Sequence, residues 1–159
     1  MIMADYDADL NFIFANTKKI VFGAGSLGEV GEQVNALHCK RAVVVTDSFL
    51  AEQTDMVTRL KKTMGTRLAG VFSGVVADPT APSVDEGAEA AREAGADCLI
   101  SLGGGSSIDT AKAMAIVLAE GGKILDHEGY HNLERPILPH ISVPTTAGTG
   151  SEMTLVTVI

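Results

Sequence analysis

The sequence predicts an α/β fold built on a doubly wound parallel sheet, and three observations carry that prediction. Short β-branched runs alternate with longer segments of helical period, and few residues separate one element from the next. The composition fits the same class: 17 glycines, no tryptophan and seven aromatics favour Ala, Val and Ile packing with many tight backbone turns. Closely spaced strands and helices imply parallel strands joined by right-handed crossovers, because a parallel pair cannot be closed by a tight hairpin.

In chain order, FIFAN (12–16) reads as a small strand of its own, followed by KIVF (19–22), AVVVT (42–46), RLAGVF (67–72), CLISL (98–102), ISVP (141–144) and TLVTVI (154–159) as further strands. Four helices fall between them. In SLGEVGEQVNAL (26–37), Leu27, Val30, Val34 and Leu37 make one apolar stripe, with Glu29 and Glu32 on the opposite side. FLAEQTDMVTRLKKTM (49–64) repeats the stripe through Phe49, Met56, Leu60 and Met64, with Gly65 as its stop. SVDEGAEAAREAG (83–95) starts beside Pro82 with an acidic first turn and ends at Gly95. SSIDTAKAMAIVLAEGG (106–122) is apolar nearly all round, which predicts burial. Only 121–137, rich in Gly, His, Asn and Pro, shows no period.

The 159 residues carry 12 Lys+Arg against 20 Asp+Glu, a formal charge of −8 that argues against nucleic acid as a partner. This length supports one core, and 46% hydrophobic residues can fill it. The first dozen residues hold three Asp and no Lys or Arg, unlike a secretory or mitochondrial leader. No apolar run approaches the roughly 18 residues of a membrane span. Cys39 and Cys98 lack a CxxC spacing and read as small core residues of a protein in a reducing cytoplasm. The sequence stops at Ile159 inside a β-branched run, so the expectation is one domain of a longer protein with an exposed apolar end that self-associates.

Two glycine loops compete for a phosphate. GAGSLG (23–28) has full GxGxxG spacing, and Asp47 closes the next strand 19 residues after Gly28, where an acid can accept from ribose hydroxyls. GGGSSID (103–109) follows the strongest strand and opens the most apolar helix. Its three glycines remove every Cβ that could block a phosphate, and Ser106 and Ser107 add hydroxyls beside a helix N-terminus. A third segment, VPTTAGTGSE (143–152), places four hydroxyls after a strand, at the end where open α/β sheets bind ligands. HEGYH (127–131) spells HExxH, but Gly129 inside it and Pro136 and Pro139 after it deny the helix a zinc pair needs, so it reads as a solvated loop. His38 and His140 read as surface or satisfied core residues. Neither GxSxG nor GxxxxGK[ST] occurs, which weakens hydrolase and nucleoside-triphosphatase readings.

Together, FGAGSLGEVG (22–31), VVVTD (43–47), DPTAPSV (78–84), GADCLISLGGGSSIDTAKAMA (95–115) and PHISVPTTAGTGSE (139–152) resemble the iron-containing (group III) alcohol dehydrogenases over nearly the whole chain. The resemblance implies a Rossmann-like N-terminal domain of the dehydroquinate-synthase-like type over 1–159, with the helical metal-binding domain outside this chain. It implies NAD in preference to NADP as cofactor, with pyrophosphate on Gly103, Gly104, Gly105 and Ser106 and the adenosine ribose on Asp47. Asp109, Thr145, Thr146, Thr149 and Thr154 match positions lining the cofactor cleft. Divalent iron or zinc belongs to the full-length family, on one Asp and three His beyond the GTGSE string. No metal and no catalytic residue is therefore expected within this chain, and the implied small alcohol or aldehyde substrate requires the missing domain. The family also implies a homo-oligomer, with FIFAN as a contact. The competing reading from another class is a non-catalytic nucleotide- or phosphate-binding module.

Overall fold

The computed structural model describes residues 19–129 and 132–159. Four parallel strands form one sheet: β1 (Ala42–Val45), β2 (Leu68–Phe72), β3 (Cys98–Gly103) and β4 (His140–Pro144), in the order β2-β1-β3-β4. The helices are α1 (Val30–Ala36), α2 (Ser48–Glu52), α3 (Met56–Met64), α4 (Ala81–Glu93) and α5 (Gly105–Glu120). From β1 the chain steps outward to β2, then returns past β1 to β3, so the winding reverses between β1 and β3. This is a three-layer, doubly wound α/β fold, as the alternation predicts.

Alternating strand side chains sort into two cores. Val43, Val45, Leu99 and Phe72 pack with Val84, Ala88 and Ala91 of α4 and Ala111 and Met114 of α5. On the other face Ala42, Val44, Ile100 and Leu102 meet Val30 and Val34 of α1 and Val57, Leu60 and Met64 of α3. Every residue of β1 and β3 is buried, so these two strands read as continuous apolar runs rather than as an alternation. As expected, α5 is covered nearly all round, with nine buried residues between Ser107 and Val117.

Several boundaries differ from the sequence reading. Segment 19–22 is not a strand: no described segment pairs with it, and Ile20 and Phe22 stand 63% and 98% exposed. Segment 154–159 is not a strand either, and Leu155 and Val158 stand 81% and 72% exposed. FIFAN lies outside the described residues. The single helix expected over 49–64 is two, broken at 53–55, where Thr54 Oγ1 donates to Leu50 O at 2.7 Å and accepts from Met56 N at 3.3 Å. A threonine side chain that bonds the backbone in this way competes with helix continuation. The stripe over 26–37 is a 3-10 turn, Ser26–Glu29, leading into α1.

At Gly31 the crossing of α1 over α3 is so close that an added Cβ would lie 2.1 Å from Thr63 O. That oxygen is backbone and cannot swing aside. Gly31→Ala is expected to lower unfolding free energy by about 1–3 kcal/mol in denaturant titration, although alanine is the better helix former.

Candidate functional site

Because the winding reverses between β1 and β3, the segments leaving their C-terminal ends splay apart and leave a crevice, which is where open α/β sheets accept ligands. Here the crevice is a cleft of about 280 Å³ lined by Asp47, Val75, Val76, Ala77, Gly104, Gly105, Ser106 and Ser107. Thr46, the residue after β1, ties the two strand ends together: its buried hydroxyl donates to Leu102 O at 2.8 Å. The loop after β2 joins the same wall, since Val75 N donates to Thr46 O at 3.2 Å.

Asp47 sits on the β1 side as the N-cap of α2, its Oδ1 accepting from Leu50 N at 2.9 Å. On the β3 side, Gly104 is the extended N-cap of α5 and donates no side chain of its own. The first N–H groups of a helix have no acceptor within it, and the aligned peptide dipoles leave partial positive charge there. With no Cβ on Gly104 or Gly105, this end of the sixteen-residue α5 is an anion cradle in its chemistry.

The glycines are also demanded by the chain itself. Gly103 holds φ +150°, and a Cβ there would lie 2.2 Å from Ser107 Oγ. A Cβ on Gly105 would meet Thr149 Cγ2 at 2.8 Å, and one on Gly104 would meet Thr146 Oγ1 at 3.0 Å. Thr146 and Thr149 thus stand against the glycine loop, and Thr145 N reaches Gly103 O at 2.9 Å. GAGSLG is elsewhere. Its Gly23 and Gly25 take φ of +150° and +89°, added Cβ atoms at Gly23, Gly25 and Gly28 would meet nothing within 4 Å, and none of the three lines the cleft. The physical reason is that 19–22 is not a sheet strand, so the loop after it does not open at the C-terminal edge of the sheet.

Asp109 and Thr154 belong to a different arrangement, centred on Lys112. The nearly buried ammonium donates to Ser151 O, to Thr154 Oγ1 at 3.0 Å and to Val156 O at 2.9 Å, with Asp109 Oδ1 at 3.7 Å. Thr157 Oγ1 adds a bond to Asp109 O at 2.7 Å. Burial pushes the Lys112 ammonium below its ordinary pKa and the Asp109 carboxyl above its own, while their mutual attraction opposes both shifts. The group fastens segment 151–157 onto α5 and so holds the threonines of 145–149 beside the glycine loop.

Sequence reasoning missed Val75, Val76 and Ala77 as lining residues, because an apolar loop carries no chemical signature, whereas Ser107, singled out beside Ser106, does line the cleft. Of the HEGYH pair, His127 lies in a 3-10 turn, Ile124–His127, with Nε2 2.8 Å from Gly121 O, and His131 is outside the described residues. Residues 128 and 129, which follow the turn, are not helical.

The fold therefore defines a doubly wound α/β unit with a cleft at its switch point, beside the glycine loop that opens α5. A family model described as iron-containing alcohol dehydrogenase matches residues 17–159, and the chain belongs to that family. It is 41% identical over 143 residues to the NAD-dependent methanol dehydrogenase of Bacillus methanolicus, covering 87% of this chain and 37% of that protein. Among solved structures it is similar to a 1,3-propanediol oxidoreductase, with a TM-score of 0.85 at 29% identity over 91% of this chain and 38% of the other. The sulfoacetaldehyde reductase of Bifidobacterium kashiwanohense, solved in complex with NAD+, gives 0.84 at 30% identity over 91% and 39%. The chain thus spans well under half the length of these relatives. No helix among the described residues is long and apolar enough to cross a membrane.

His140, expected to be a surface or satisfied core residue, lies between the two: half-buried on β4, with its Nε2 2.8 Å from Ser101 Oγ. Burial, reinforced by the Lys112 charge, lowers its pKa from 6.5 to about 4. Between those values the unfolded chain binds the proton and the folded chain does not, so stability is complete above pH 6.5 and declines as the pH falls toward 4. Unfolding titrations across that window should show the decline, and His140→Gln, which keeps a hydrogen-bonding group, should flatten it.

Proposed function

We propose that the chain is the NAD(H)-binding part of a metal-dependent alcohol dehydrogenase, transferring hydride between a small alcohol or aldehyde and NAD. One observation carries this reading: Asp47 and the helix-opening glycine loop, 56 residues apart from Asp47 to Gly103, share one cleft at the switch point. An acid facing two ribose hydroxyls and a helix N-terminus facing a pyrophosphate are the two polar demands of a dinucleotide. The family match and the NAD named for two of its relatives support the same cofactor. Bound in the cleft, the nicotinamide supplies the hydride acceptor or donor.

In this reading Gly104, Gly105 and Ser106 present backbone N–H groups to the pyrophosphate over a surface free of Cβ atoms, with Gly103 setting the turn. Thr145, Thr146 and Thr149 wall the loop, and Asp109 and Thr154 act indirectly by holding that wall through Lys112. Oδ1 of Asp47 is engaged with Leu50 N, so Oδ2 is the oxygen available to a ribose. The family's alcohol-activating metal, implied on one Asp and three His, finds no such set among the residues described. The one close group of His, Cys, Asp or Glu side chains among them is Cys39, Asp97 and Cys98, without histidine and at the opposite end of the sheet from the cleft. A metal that would polarise the alcohol oxygen finds no such ligand set among the described residues, and on this proposal the chain alone binds dinucleotide without turning over alcohol. A cytoplasmic homo-oligomer completes the proposal.

Two measurements test it. Gly104→Val puts a branched side chain where the pyrophosphate approaches and is expected to weaken NAD binding by about 100-fold, or ~2.7 kcal/mol, in calorimetry. Gly25→Ala should change it by less than about fivefold, since loss of a single hydrogen bond amounts to only about 1 kcal/mol. If both variants keep the parent circular dichroism and the Gly25 change is the more damaging, the first loop holds the phosphate and the site assignment is wrong.

The second concerns the ribose. Asp47→Asn retains the cap on Leu50 N but removes the negative charge that would repel a 2′-phosphate. The preference for NAD over NADP should narrow by about tenfold, or ~1.4 kcal/mol. Equal discrimination in parent and variant would separate Asp47 from the ribose.

A further inference from the structure

At the end of the sheet away from the cleft, three potential ligands converge. The Sγ atoms of Cys39 and Cys98 and a carboxylate oxygen of Asp97 all lie within 4.8 Å of one another. The cysteines were expected to be small core residues, and both are buried, at 6% and 0% exposure. Burial alone does not bring two thiols and a carboxylate together; the backbone does. Cys98 opens β3 and pairs with Ala42 at the start of β1. Cys39 is placed by the way α1 ends: Cys39 N donates to Val34 O at 3.1 Å and His38 N to Asn35 O at 2.9 Å, with His38 at φ +59°. This is a Schellman ending carried by a residue other than glycine, and it fixes the position after it.

Asp97 is held just as firmly. Its Oδ2 accepts from Lys40 N at 2.7 Å and its Oδ1 from Arg41 N at 2.8 Å, leaving lone pairs on both oxygens. Neutral thiols use such a place poorly: apart from the contact between the two thiols, Cys39 Sγ has among the described residues only Leu37 O at 3.5 Å and Asp97 O at 3.7 Å. Arg41 does not neutralise the carboxylate with its guanidinium, which is spent on Ala94 O and Gly95 O.

We propose that Cys39, Cys98 and Asp97 form a binding site for one thiophilic divalent d10 cation of the zinc class, with solvent completing its coordination. Two sulfurs and an oxygen whose carboxylate is oriented by backbone N–H groups are a donor set that soft and borderline cations prefer over magnesium or calcium. Binding converts two thiols and one cation into a bis-thiolate complex and two protons released to the buffer, with no change of oxidation state. The complex ties the turn before β1 to the first residue of β3. It is a structural clip, remote from the cleft, and its effect is on stability rather than on nucleotide affinity.

The test uses the whole chain, stripped with chelator and kept reduced with a phosphine. Cadmium titration should produce a thiolate-to-metal charge-transfer band saturating at one equivalent, and zinc should abolish it by competition. One equivalent of zinc should also raise the thermal midpoint while NAD affinity stays unchanged. Cys98→Ser should remove the band, and Asp97→Asn should weaken binding by about 10- to 100-fold. If Cys98→Ser does not fold, Cys39→Ala removes the same band from a position nearer the surface. A reduced parent without the band, or a band surviving in the folded Cys39→Ala variant, overturns the site.

Discussion

The parallel pairing of β1 with β3 is the constraint on which both ends of this molecule depend. Ala42 to Val45 lie in register with Cys98 to Ser101, with every side chain buried. A one-residue slip would exchange the faces of the whole apolar set, moving residues that pack on α4 and α5 toward α1 and α3. Fixed register therefore determines what stands beside what at each strand end. At the C-terminal side it sets Asp47 across from the glycine loop, and at the N-terminal side it sets Cys98 beside the turn carrying Cys39. The hydroxyl of Thr46 on Leu102 O reinforces the pairing where the strands begin to part.

Lys112 supplies the second long-range tie. An ammonium inside an α/β core is unfavourable unless its donors are matched, and here carbonyls, a hydroxyl and a carboxylate match them. All but the carboxylate come from the segment after β4. The residue that keeps α5 satisfied is thus also the one that holds the threonine-bearing loop against the start of the same helix, some two turns away.

Much of this was legible in the sequence, for a definable reason. The central strands and all the larger helices follow from period and glycine placement, because those patterns record burial, and burial is local to a face. The GGGS loop was legible because three successive glycines have few purposes besides close approach. What failed was pairing. KIVF and TLVTVI have strand composition, yet a ladder needs a partner, and partner identity is written in no single segment. The GxGxxG string stands away from the cleft for the same reason, since 19–22 does not provide the sheet strand that would carry it there. Asp109 and Thr154 are visible as an acid and a hydroxyl in the string, but their company around Lys112 is a matter of three dimensions. The convergence of Cys39 with Cys98, 59 residues apart, could be read only once the register of β1 and β3 and the ending of α1 were known.

Thr146 and Thr149 press against Gly104 and Gly105 closely enough that the two segments share one allotment of volume. Substitutions at these positions should consequently not be independent. A larger residue at 105 becomes tolerable only after position 149 has shrunk, while a smaller residue at 149 leaves a void that a methyl at 105 would fill. Drift at either position should travel in pairs, with the order of changes constrained, so that two loops some forty residues apart in sequence behave as one heritable unit.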